Sequence, residues 1–337
     1  MKRIDIFTHI WPQPYFDALI EVAGELRDMT RRVRNIPMIV DLDRRFEVMD
    51  MFEDYVQILS LGAPQLEVLG GPETALKLSR IGSDAMAELC LKYPDRFPGF
   101  IGTAPLSNPD AAVEEARRAI EELGACGMQV YTNVGGKPLD LPEYAPFFDY
   151  MASSGKPVWL HPARGAEVPD YITEQKSLYE IWWTLGWPYE TQVALSRLIF
   201  SKTLDRLPNL KIITHHTCGY IPVLEGRIGP GWDQLGERTS GEDYVALRKS
   251  LKNRPIDYFK TFYADTASFG SRSAILAALD FFDLEKILFA SDSPFDPEGG
   301  TMYIRETINI LDNLDIGEAA RRAIYQDNAV KLLGLKI

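Results

Sequence analysis

Five side chains carry most of the chemistry this sequence offers: His9, His161, His215, His216 and Asp292. The chain holds only four histidines, and each sits at or just past the end of a short apolar, β-rich run. The runs read IDIFTH, PVWLH and LKIITHH, and the aspartate closes a similar one, ILFASD. His9, His161 and Asp292 would bring two imidazoles and one carboxylate together from three strands. That donor set suits Zn²⁺, or Mn²⁺ or Fe²⁺ less selectively, with positions left open for water and substrate. An acid at Asp292 can also hold and move a proton. The plainer reading of Asp292 is a helix cap or a turn residue ahead of Pro294. The plainer reading of any single histidine is a satisfied structural one; sorting of all four to strand ends favours a site.

These residues can meet only if the strands are neighbours. Eight β-rich runs recur along the chain: Arg3–Phe7, Tyr55–Leu61, Phe97–Ala104, Gly127–Tyr131, Pro157–His161, Leu210–His216, Thr261–Ala264 and Lys286–Asp292. Helical patterns lie between them. Asp110–Leu123 places its apolar residues at three- and four-residue spacing, opened by the cap signal Asn108-Pro109-Asp110 and closed by Gly124. Strands alternating with helices imply parallel pairing through right-handed crossovers. Eight such units predict an α/β fold, a (β/α)8 TIM barrel, with all four histidines and Asp292 on its C-terminal rim. The longest insertions fall after strand one, Ile10–Glu53, and after strand five, His161–Arg206. No linker or low-complexity tract divides the chain, so residues 1–337 read as one domain.

Composition narrows the setting. The 337 residues are 46% hydrophobic and 25% charged, ordinary for a globular enzyme. A net charge of −12, with no basic face, argues against nucleic acid as a partner. The short cluster Arg27 to Arg34, interrupted by Asp28, reads as a solvated loop. Cys90, Cys126 and Cys218 form no CxxC pair and suit a reducing compartment. The first residues form no signal-peptide core, and no apolar run reaches the roughly 20 residues of a membrane span, so the expected location is cytoplasmic. No Gly-rich loop follows a strand: Gly299-Gly300 lacks the GxGxxG context, and no GxSxG elbow is present.

The chain resembles the amidohydrolase-related barrel enzymes that include aminocarboxymuconate semialdehyde decarboxylase, γ-resorcylate decarboxylase and 4-oxalomesaconate hydratase. The likeness rests on IDIFTHIWP, VWLHP, HTCGYIPVLEGRI, FASDSPF and YQDNAVKLLGL, and covers nearly the whole chain. It implies that His9, His161 and Asp292 bind one divalent metal, zinc first and manganese second. It implies that His216 is the catalytic histidine of strand six, followed here by Thr217-Cys218-Gly219. His215 has no counterpart in the pattern, and alternation along the strand points it away from His216, into the shell behind the barrel. Phe7 departs more sharply, because the family places histidine or glutamate there and phenylalanine cannot ligate. The expectation is a metal bound with one protein ligand fewer and an extra open position.

Around such a site Arg164 could grip a substrate carboxylate, while Trp11, Tyr15 and the tryptophans Trp182, Trp183 and Trp187 could form flat walls. A small aromatic or unsaturated carboxylic acid would fit. The favoured activity is metal-dependent, non-oxidative decarboxylation, with His216 and Asp292 as the acid–base pair. A hydrolase or hydratase of a related acid, lactone or enol is the alternative, and a binding protein on a decayed barrel the third reading. The resemblance also implies a homodimer.

Overall fold

The computed structural model describes residues 1–24 and 28–337. Its centre is a closed ring of eight parallel strands. Strand one is Arg3–Ile10 and strand two Tyr55–Leu61; strand three is broken into Gly99–Phe100 and Gly102–Thr103. Strands four to eight are Met128–Tyr131, Val158–His161, Ile212–Thr214, Tyr263–Asp265 and Ile287–Leu288. Each pairs in parallel with the next, and the break at Ile101 is bridged by its N–H to Leu59 O, 2.8 Å. The ring closes where Ile6 N donates to Phe289 O at 3.0 Å and His9 N to Ser293 O at 2.8 Å. The expected (β/α)8 barrel is therefore formed, with regular pairing shorter than the apolar runs at strands three, six and eight.

The interior is filled by side chains of one strand parity. Ile58, Ile101, Trp159, Ile213, Leu288 and Ala290 pack together there, with Ala329, Leu332 and Leu333 of the last helix beneath them. Trp159 is accommodated by a glycine just ahead of the neighbouring strand four: a Cβ on Gly127 would lie 2.7 Å from its ring and 2.2 Å from Pro157 O. Strand one breaks parity. Its register against strand two slips between Asp5 and Thr8, so one residue is extra. That bulge lets Ile4, Ile6 and Phe7 all join the interior cluster, and then turns His9 inward as well.

Helices form the outer layer. Asn108 caps its helix as the sequence suggests, accepting from Ala111 N at 3.2 Å; the helix runs Pro109–Arg117 and continues as a wider turn to Glu122. The insertion after strand one carries helices Gln13–Ala23, Asp28–Arg34 and Leu42–Met49; the one after strand five carries Ile181–Thr184 and Gly186–Phe200. The segment expected as a basic loop is thus a short helix from Asp28 onward, with Val33 buried; Arg27 lies outside the described residues. No described helix is long and apolar enough to cross a membrane.

Candidate active site

At the C-terminal ends of the strands, inward parity selects His9, His161, His215 and Asp292. His161 follows Trp159 by two residues, His215 follows Ile213 by two, and Asp292 follows Ala290 by two, each on the interior face. His9 Nε2 lies 3.0 Å from Asp292 Oδ1, and His215 Nε2 lies 3.2 Å from the same oxygen. A nitrogen of His161 is within 4.8 Å of nitrogens of both His9 and His215. The expectation that His215 points behind the barrel is therefore reversed. Alternation does separate the two neighbouring histidines, but it is His215 that shares the parity of Ile213.

His216 still reaches the site, by a different route. Its φ is +55°, and Thr217 and Cys218 are also left-handed at +55° and +65°. This turn folds the His216 ring back onto His215, stacked at 3.7 Å, and sets Nε2 3.5 Å from Asp292 Oδ2. Such conformations cost on the order of 1–3 kcal/mol each and persist where the surroundings over-determine them. Here Asp265 does so. Its Oδ1 accepts from Thr217 N (3.3 Å) and Ala267 N (3.1 Å), while Oδ2 accepts from His215 Nδ1. Asp265, an acid at the end of strand seven, escaped sequence reading; the run YAD is its only signal.

The imidazoles share one arrangement. His161 Nδ1 faces Pro162 O at 2.7 Å, and His9 Nδ1 faces Leu61 O at 3.3 Å and Ser60 Oγ at 3.0 Å. His215 Nδ1 faces the Asp265 carboxylate. Carbonyl and carboxylate oxygens only accept, so each Nδ1 carries a proton, and in the neutral imidazole Nε2 is the atom that presents a lone pair. Buried Arg45, from the Leu42–Met49 helix, steadies this wall, donating to His9 O, to Met38 O (3.1 Å) and to Gln57 Oε1 (2.7 Å).

Whether these residues fit a metal can be judged from their own atoms. His9 Nε2, His215 Nε2 and Asp292 Oδ1 are buried and make no aligned hydrogen bond, although they crowd to 3.0 and 3.2 Å. Ligand atoms about 2.1 Å from a common ion lie roughly 3.0–3.4 Å apart. A buried carboxylate oxygen with the Nε2 atoms of His9 and His215 converging on it, and His161 within 4.8 Å of both histidines, is such a donor set, so His9, His161, His215 and Asp292 fit a divalent cation. Phe7 sits beneath it, its ring 4.2 Å from His215 and 4.8 Å from His9. It supplies no donor, and His215 makes up the number.

Electrostatics separate the roles. Burial alone would raise the Asp292 carboxyl, but His215, His216 and His9 hold it well below the usual carboxylate range. Burial, then His215 and His9, push His161 well down; burial and His215 lower His216. Burial opposes charge on His215 too, yet Asp265 and Asp292 raise it to about 9, so without a cation its Nε2 holds a second proton that a metal would displace.

Above these groups opens a pocket walled by Trp183, Trp187, Phe269, Phe295 and Tyr303. Trp187 stands 5.5 Å from His161, as expected of a site wall. Arg32, on the Asp28–Arg34 helix, also lines it and donates to Phe295 O at 2.6 Å; this cation was missed in the supposed loop. Trp11 does not line the cavity. It is fully buried, stacked on Phe16 at 5.9 Å and bonded to Gly62 O at 3.2 Å, and Tyr15 is fully buried as well. Arg164 lies in a neighbouring cleft, paired with Glu190 at 2.9 Å rather than free for a substrate carboxylate.

The amidohydrolase family model matches residues 4–335. The chain belongs to the amidohydrolase family. A γ-resorcylate decarboxylase from Rhodococcus jostii (strain RHA1) is 32% identical over 308 residues, 87% of this chain and 87% of that one. Among solved structures, a 2,6-dihydroxybenzoate decarboxylase complexed with 2,6-dihydroxybenzoate superposes with a TM-score of 0.78 at 27% identity, covering 99% of this amidohydrolase and 100% of its own chain. A dihydroxybenzoic acid decarboxylase from Polaromonas sp. JS666, with bound manganese and the inhibitor 2-nitroresorcinol, gives 0.79 at 26% identity, covering 99% and 97%.

Proposed function

We propose that this amidohydrolase is a metal-dependent, non-oxidative decarboxylase of a small aromatic or unsaturated carboxylic acid, working as a single barrel domain. The observation that carries the reading is the convergence of the His9 and His215 Nε2 atoms on the Asp292 carboxylate, with a nitrogen of His161 within 4.8 Å of nitrogens of both, at the floor of an aromatic cavity. His9, His161, His215 and Asp292 would hold the cation. When bound, it supplies a Lewis acid that polarises an oxygen of the substrate and offsets developing negative charge. Zinc suits the nitrogen-rich donors; manganese, present in the related Polaromonas enzyme, is the second candidate.

The remaining chemistry belongs to the chain. Trp187 and Phe295 hold a flat ring, and the apolar walls exclude water from it. Arg32 adds positive potential at the mouth, favouring an anion. The pair His216 Nε2 and Asp292 Oδ2, 3.5 Å apart, holds a proton and delivers it to the ring carbon that bears the carboxylate. The bond to the carboxylate then breaks, its electrons restore the unsaturated system, and CO₂ leaves. The pair regains its proton from water.

The three unbridged cysteines support a reducing, cytoplasmic setting. Tyr171, Ile172, Tyr179, Leu185 and Tyr189, all exposed on the insertion after strand five, support a homodimer formed through that face. To test the function, metal content is measured on protein purified without chelator, and CO₂ release is followed on a panel of hydroxybenzoates. About one equivalent of zinc or manganese, with turnover that vanishes on chelation, is expected. Water addition to enols or lactones without CO₂ release would instead favour a hydratase or hydrolase.

A further inference from the structure

The aromatic cavity has a neighbour of opposite character. A cleft open to solvent abuts it, and Met29, Ala63, His161 and Trp187 line both. The walls of the first space, Trp183, Trp187, Phe269, Phe295 and Tyr303, suit a flat ring. The second has no task in holding such a substrate, yet it opens beside His161.

Its chemistry says what it would accept. Among the described residues, Asp28, Glu167 and Glu190 line it against a single guanidinium, Arg164. That guanidinium is already committed, Nη1 to Glu190 at 2.9 Å and Nη2 to Pro169 O at 3.1 Å. With Glu190 and Arg164 neutralising each other, the carboxylates of Asp28 and Glu167 remain uncompensated among the described lining residues and disfavour a second anion. Hydrogen-bonding capacity remains. Arg164 Nε is buried without a partner. Tyr131, whose ring is 5.0 Å from His161, accepts from Gln129 Nε2 at 3.4 Å and keeps its own proton to give. Gln65 spends its amide N–H on Asn133 O at 2.7 Å and leaves its oxygen free.

We propose that the natural substrate is a two-part acid: a carboxylated ring in the aromatic cavity, bearing a neutral or cationic hydrogen-bonding substituent that passes Trp187 into the Arg164–Glu190 cleft. The inference rests on the decarboxylase reading and adds to it the class of the substituent. A one-ring acid would then be a truncated substrate, bound without the interactions made by its tail.

The test uses manganese-loaded protein and a set of 2-hydroxybenzoates. The parent is compared with derivatives carrying an aminoethyl, an acetamidomethyl or a carboxymethyl group, one ring position at a time. Dissociation constants come from calorimetry and kcat/KM from CO₂ release. At one ring position the aminoethyl and acetamidomethyl acids should bind at least tenfold tighter than the parent, and the carboxymethyl acid weaker. Glu167→Gln should shrink the advantage of the aminoethyl acid over the acetamidomethyl acid several-fold. If the parent is bound and decarboxylated but no tailed acid binds tighter, the cleft is a solvent vestibule and the inference is overturned while the activity stands. A preference for the carboxymethyl acid overturns the charge argument. If neither parent nor tailed acids bind, the decarboxylase reading fails and takes this inference with it.

Discussion

Asp265→Asn tests how the site presents His215. In the native chain Asp265 Oδ1 accepts from Thr217 N and Ala267 N at 3.3 and 3.1 Å, and Oδ2 faces His215 Nδ1. An asparagine can keep both backbone bonds only with its oxygen at the Oδ1 position, which turns its NH₂ toward His215. Flipping the amide would lose two backbone hydrogen bonds, on the order of 1–3 kcal/mol at about 0.5–1.5 each, and would press N–H against N–H. Moving the imidazole proton is the cheaper adjustment. His215 then carries its proton on Nε2, the atom that lies 3.2 Å from Asp292 Oδ1, and ceases to be a donor to a cation. Loss of such an orienting partner typically costs 10–100-fold in metal affinity, or about 1.4–2.8 kcal/mol. The assay is competition with a chromophoric chelator for zinc and manganese, with circular dichroism to confirm the fold. Affinity within twofold of the wild type in a folded variant would refute both the tautomer argument and the placement of His215 among the metal ligands.

Phe7→His should raise zinc affinity at least tenfold by adding a donor beneath His9 and His215; chelator competition reads it, and no gain would mean that the position is too far from the donor set. Trp187→Ala should lower kcat/KM for hydroxybenzoates about tenfold through KM, since its ring forms a cavity wall beside His161. Asn108→Ala removes a helix cap far from the site and should cost about 1 kcal/mol in denaturant melts with turnover unchanged. Asp5 is fully buried, and burial lifts its carboxyl to about 7 against the hydrogen bonds from Ser291, Tyr55 and Phe7. Its ordinary value of 3.8 applies when unfolded, so between about pH 4 and 7 the folded chain holds the extra proton and stability falls as pH rises. Asp5→Asn should flatten that decline in thermal melts across this range; an unchanged slope would show that Asp5 does not titrate there.

Much of the scaffold was legible because it depends on local rules. Apolar runs of strand length at wide intervals, helical periodicity between them and a cap such as Asn108 are written in nearest-neighbour chemistry. The gathering of His9, His161 and Asp292 followed from topology alone, since parallel strands deliver their C-terminal ends to one rim. The errors arose where side-chain direction mattered. Strict alternation needs a starting parity, and the run LKIITHH does not say which residue faces inward; packing of Ile213 against Trp159 and Leu288 chose His215. The bulge in strand one, which turns Phe7 and His9 inward together, exists only because strands one and two share a register with one residue extra. Trp11 looked like a wall because it follows the strand, yet a large ring beside a buried glycine packs into the core. Arg164 and Arg32 exchanged roles for a similar reason: the fold sets Glu190 against Arg164, while Arg32 lines the aromatic pocket and donates to Phe295 O. By itself, then, the sequence determined the barrel, its order and the inventory of ligating and acid–base groups. Which of them converge, with which nitrogen bare and which charge left unpaired, was decided by tertiary contacts, because these depend on distances between residues hundreds of positions apart.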